Sequence, residues 1–186
     1  MALTNVYTGS NGTLTLADED TPEGKDAKAI VDNYTIQTVG RVSGVEIRVD
    51  TDLEEFHEIG RRHPTSLHPG NIHISGKIGR AYINGALLFL LMGRGSRPTA
   101  EAEPYVQPVF NMVVTLTDPA VPGNSVGVEL KGVKLQNWSY SMPEEDFVME
   151  NVSFKALTIR VADKEAPAGG GEAVAQNPAF PDTAAA

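Results

Sequence analysis

All four histidines of this 186-residue chain, His57, His63, His68 and His73, fall in one stretch, with Glu54, Glu55 and Glu58 among them. Histidine with carboxylate is the donor set of many zinc sites. The spacing offers no His-x-x-x-His pair for a helix face, and His63 and His68 sit in the proline-punctuated run "RRHPTSLHPG". On a strand, His57 would share a face with Ile59 and not with Glu58. A metal needs converging ligands, so a structural or interfacial role fits these residues better than a metal-dependent hydrolase. "GKIGR" and "GRGSR" lack the glycine spacing and the Lys-Ser/Thr ending of a phosphate loop. No G-x-S-x-G nucleophile motif occurs. "PEEDF" and "DTDLEEFHE" supply paired carboxylates of the kind glycosidases use. One tryptophan and 6% aromatic residues make a poor sugar platform, and these acids read as a solvated face. The chain has no cysteine, which excludes disulfides, zinc–thiolate sites and cysteine nucleophiles. No catalytic residue, metal site or cofactor is expected.

Composition narrows the classes further. The formal net charge of −9 opposes a protein that grips nucleic acid through its phosphates. It is compatible with nucleic acid passing close by without sticking, because like charges repel. An apolar fraction of 41% suits a folded domain. "MALTNVYTGSNGTLTLADED" has no basic region followed by an apolar one, so no signal peptide is read. The apolar run Ala86 to Met92 is far shorter than the roughly 20 residues that cross a bilayer, so no membrane segment is expected. Three segments follow: an N-terminal strand with an acidic loop or arm over 1–34, a β domain over 35–163, and an Ala/Gly/Pro-rich flexible tail over 164–186. The turn-rich "ADEDTPEGKDAK", residues 17–28, reads as a solvated loop, or as an arm that orders against a neighbouring subunit.

The elements that must position any site alternate with period two. Val45, Ile47 and Val49 alternate with Glu46, Arg48 and Asp50, and Phe110, Met112, Val114 and Leu116 form a second such run. Val126, Val128 and Leu130 keep one face until the phase slips at Lys131-Gly132, and another slip follows Phe154. A glycine at a phase slip predicts a bulge or bend in a long strand. Long bent strands with short turns predict a mainly β fold, an antiparallel sandwich or barrel-like sheet, with one short apolar helix. That helix is expected over about Tyr82 to Leu91, stopped by Gly93. Apolar nearly all round, it needs cover on two sides, and a sheet supplies only one. Ile83, Leu87, Leu88, Leu90, Leu91 and Met92 are therefore candidates for a subunit interface. Arg61, Arg62 and Arg80 join them, because cations around the strand–helix unit face acids on the preceding hairpin, a sign asymmetry that suits paired subunits.

The order of these features resembles tail tube proteins of tailed bacteriophages, of the contractile-tail type, and the related inner tubes of contractile injection systems. The resemblance rests on the acidic hairpin, the loop and strand–helix run "EIGRRHPTSLHPGNIHISGKIGRAYINGALLFLLMG" and the long strands that follow, from about Thr35 to Asp163. It implies a virion structural protein that polymerises as stacked, hexameric rings, each subunit adding strands to one ring-spanning β-barrel. It further implies a conduit for genome delivery, with sheath, tape-measure, baseplate and tail-terminator proteins as partners. DNA would pass without specific binding, and assembly would take place in the bacterial host cytoplasm. Glu46, Asp50, Asp52, Glu54 and Glu58 are the candidates of which some would line the bore and repel phosphate. A monomeric β-sandwich that binds a glycan or peptide is the alternative from a different class.

Overall fold

The computed structural model describes residues 7–96, 106–118, 123–165 and 174–175. Most of the proposed C-terminal tail, 166–173 and 176–186, lies outside the described residues. The chain folds into a curled, wholly antiparallel half-barrel sheet with helices packed on one face.

The first strand, β1 (Gly12–Ala17), leads into helix α1 (Pro22–Tyr34). A long hairpin follows, β2 (Val42–Phe56) and β3 (Ser66–Ala81), then helix α2 (Ala86–Met92). Next come β4 (Phe110–Thr117), β5 (Ser125–Ser141), β6 (Met149–Ala156) and β7 (Thr158–Val161). The short pair β8 (Lys164–Glu165) and β9 (Val174–Ala175) closes the described part. The main path across the sheet is β1-β4-β5-β6-β3-β2.

Strand β5 turns the corner of the barrel. Its first half pairs with β4, β7 and, at Ser125, β8; among the described residues its second half pairs with β6 alone. Gly132 sits at the turn with φ +63°, and a side chain there would meet Leu157 Cδ1 at 2.5 Å. A bulge at this point needs the one residue that adopts positive φ freely. The second phase slip, after Phe154, marks the break between β6 and β7 at Leu157, which donates its amide to the Lys131 carbonyl. Both phase slips are therefore real bends.

The core is one cluster. Leu14 and Leu16 of β1, Phe110 and Met112 of β4, Leu130, Val133 and Leu135 of β5, and Val152 and Phe154 of β6 form its sheet side. Ile74 and Ile78 of β3 extend it, and Ala27, Val31, Ala86, Leu87 and Leu90 cover it from the helices. Gly76 lets the Phe154 ring lie across β3: an added Cβ would fall 2.3 Å from the Glu46 carbonyl oxygen and 2.4 Å from Phe154 Cζ.

Helix α1 occupies most of a stretch expected to be loop. Thr21 caps it, its Oγ1 accepting from the Gly24 amide at 3.0 Å, and Pro22 opens its first turn. Ala27, Val31 and Tyr34 give it an apolar stripe that its acidic composition conceals. Lys28 donates to Asp18, a hydrogen bond that raises its pKa above 10.5. The sign is that of a stabilised cation: the contribution is complete below 10.5 and is lost as pH rises through the raised value. Helix α2 starts later than expected, at Ala86, because β3 runs on to Ala81 and Asn84 Oδ1 then accepts from the Ala86 amide.

Candidate assembly interface

Sheet register explains why this chain has unfinished edges. Strands β2, β3, β6 and the second half of β5 lie side by side as a four-stranded antiparallel unit. Among the described residues no strand pairs with the outer edge of β2. At the other side β4 stops opposite Val133, and among the described residues the β5 edge from Lys134 to Ser141 has no strand partner. One contact there is the Gln107 side-chain amide, which donates to the Leu135 carbonyl. Strands alternate in direction across the unit, so its two open edges run oppositely. An edge of β5 laid beside an edge of β2 from another copy therefore continues the antiparallel pattern. Long open edges are templates for pairing with another chain.

The same register sorts the side chains into two faces. Val45, Ile47 and Val49 of β2 stand opposite Ile78, Gly76 and Ile74 on the core side. That apolar face does not stop where the sheet stops. Strand β6 ends opposite Ile74, and beyond it β2 and β3 continue as a two-stranded arm. Along the arm Leu53, Leu67 and Ile72 keep to the core-side parity yet are exposed, Ile72 at 64%. Among the described residues nothing covers this extension.

The opposite face is polar. Glu46, Asp50, Asp52 and Glu54, proposed from sequence as bore-lining, all lie on it by strand parity. Asp50 accepts from Arg48 Nε at 3.0 Å, and Asp52 pairs with His73 at 3.4 Å. Glu58 lies past the end of β2 and pairs with Arg61 at 3.3 Å. Lys77, Lys134 and Lys155 share this polar face, which sequence inspection alone did not assemble. Their signal was present: each alternates with a core residue, but alternation does not say which strands are neighbours.

The histidines do not converge. His57 pairs with Glu55 at 3.2 Å, His68 with Ser66 Oγ at 3.0 Å and His73 with Asp52, all on the exposed arm. Among the described residues no three histidine or carboxylate groups come together as metal ligands.

The interface candidates separate by burial. Arg80 is 1% exposed and not on a subunit surface: its Nε bonds Glu150 Oε1, and its guanidinium reaches the Asn84 carbonyl at 3.4 Å. Trp138 Nε1 donates to the second Glu150 oxygen at 2.8 Å. A buried guanidinium has to be paired this way, and this pairing holds the ends of β3, β5 and β6 together. Leu87 and Leu90 are likewise filled by the chain's own core. Part of the second cover for α2 comes from α1, with Tyr34 and Phe89 ring centroids 5.7 Å apart. Ile83 and Met92 remain exposed, Leu88 and Leu91 half-buried, and Arg61, paired with Glu58, and Arg62 are exposed at the arm's tip.

No family model matches the sequence, and no curated protein matches it. Solved structures do match in fold. The chain superposes on a subunit of an extracellular contractile injection system, the PVC sheath-tube complex in its extended state, with a TM-score of 0.58. That alignment is 10% identical and covers 87% of this chain and 95% of the other. A chain of the anti-feeding prophage baseplate, 6-fold symmetrised, gives 0.55 at 13% identity, covering 87% and 97%. The SPP1 tail tube gives 0.53 at 10% identity, covering 84% and 78%. This chain has the tail-tube fold. The expectation of a mainly β, barrel-like sheet holds, and a second helix is added to it.

Proposed function

We propose that this chain is a structural subunit that joins edge to edge with copies of itself into rings, which stack into the tail tube of a phage or phage-like particle. One observation carries the reading: a four-stranded unit that has, among the described residues, two long open edges of opposite direction. Joined β2 to β5, copies generate a head-to-tail contact that closes if the rotation per subunit divides a full turn. Closure removes every edge. Six copies is the favoured number, in line with the 6-fold symmetry of the baseplate whose chain shares this fold. The polar face then lines the bore, and the helices lie outside.

The tube is a conduit for genome delivery, and its role is structural, not catalytic. The β2–β3 arm, with its uncovered apolar face, reaches to the next ring. Ile83, Leu88, Leu91 and Met92 on the outside serve the seam between subunits. Sheath, tape-measure, baseplate and terminator proteins are the further partners this role entails, and the virion tail is the location. The inner tube of a contractile injection system is the second reading, favoured by the fold match to the sheath-tube complex.

The chain has no cysteine, which makes a clean cross-linking test available. Glu46→Cys on β2 and Asn137→Cys on β5 lie on the polar face. Within one subunit they are three strand spacings apart, about 14 Å, but across a joined edge about one spacing, about 5 Å. A short bis-maleimide should give a ladder of oligomers that stops at the ring number. Products that stop at dimers would point to an isologous contact and overturn the reading.

A further inference from the structure

Parity on the four-stranded unit produces a band of cations where the acidic sequence gave reason to expect none. Arg48, Ser75, Lys155 and Lys134 form one row straight across β2, β3, β6 and β5. Lys77 lies in the next row, opposite Glu46. Arg48 is bonded to Asp50, but Lys134 and Lys155 stand directly opposite each other, both exposed, with no ion pair to either among the described residues. Like charges directly opposite on a sheet disfavour the pairing that holds them. Towards the arm the same face turns acidic through Asp50, Asp52 and Glu54. The face therefore carries a cationic belt beside an acidic one, a residue or two apart along the strands.

We propose that this belt, centred on Lys134 and Lys155, is a weak, sequence-independent contact surface for the phosphate backbone of nucleic acid. A straight row on an open sheet offers no enclosing pocket for a small anion, whereas an extended polyanion meets every cation along it. Lysine suits such a task, since its ammonium is a compact charge without the fixed fork of arginine. The net charge of −9 and the acidic belt alongside keep the contact weak, so that a strand is aligned without being held. The chemistry of the face stands on the register alone; its location in the bore rests on the tube reading. There the lining would be banded instead of uniformly acidic.

The test uses the full-length purified chain and a short double-stranded DNA duplex, with binding followed by fluorescence anisotropy as salt is varied. Each phosphate contact contributes about 0.9 to the slope of log affinity against log salt. The wild type should bind at low salt, and Lys134→Gln with Lys155→Gln should lower that slope by about 2. Urea unfolding of the double variant should match or exceed the wild type, since both side chains are exposed and repel each other. An unchanged slope, no wild-type binding at low salt, or equal binding of poly-glutamate would each overturn the proposal. Microscopy separates the two claims: tubes without DNA binding leave the tube reading standing, while DNA binding without rings or tubes leaves only the belt.

Discussion

Glu150 gives the residue-scale account its sharpest consequence. The side chain is fully buried and accepts from both Arg80 and Trp138. Glu150→Gln would strand a buried guanidinium, and breaking such a pair costs about 3–5 kcal/mol. Urea denaturation should show that loss, while Arg80→Met combined with Glu150→Leu should recover most of it, because a packed apolar pair carries no buried charge. An equal loss in the double variant would mean that packing and not charge pairing matters there. Gly76 is the second residue of this kind. Gly76→Ala places a methyl group against the Glu46 carbonyl and the Phe154 ring, and overpacking of that sort costs about 1–3 kcal/mol. A midpoint of unfolding equal to wild type would contradict the close approach of β3 and Phe154.

At the scale of elements, the arm is expected to be dispensable for folding. Thr51 pairs directly with Ile72, and between them the chain is exposed on both faces apart from a half-buried Ser66. Replacing residues 52–71 by a two-residue Asn-Gly turn should leave the urea midpoint within experimental error of wild type. Rings should still form, and stacks of rings should not. Tubes of normal length from this variant would remove the arm from the ring-to-ring contact. Thr21→Ala should cost about 1 kcal/mol, because the Gly24 amide loses its cap. Elements differ in how plainly the sequence announces them. Alternation over 45–50 and 110–117, and the slip at Lys131-Gly132, marked strands and a bend because side chains on a sheet repeat every two residues. Helix α1 went unread because Ala27, Val31 and Tyr34 form a thin stripe within an acidic, turn-like composition. The buried Arg80–Glu150 pair was also invisible, since partners 70 positions apart are joined by register and not by spacing.

At the scale of the molecule, the proposed assembly gives the open edges a role. A sheet that curls half-way leaves, among the described residues, two edges without a strand partner. Copies joined head to tail close them without any new strand. This also accounts for the modest internal use of Ile72, Leu53 and Leu67, which continue the core face into space that a neighbouring ring would fill. The most direct measurement is negative-stain electron microscopy of the purified full-length chain at increasing concentration. The account predicts rings, and stacks of rings, with one uniform bore and a single rotational symmetry in class averages. A chain that stays monomeric at the highest concentration, both alone and with added preformed tube ends, would contradict it.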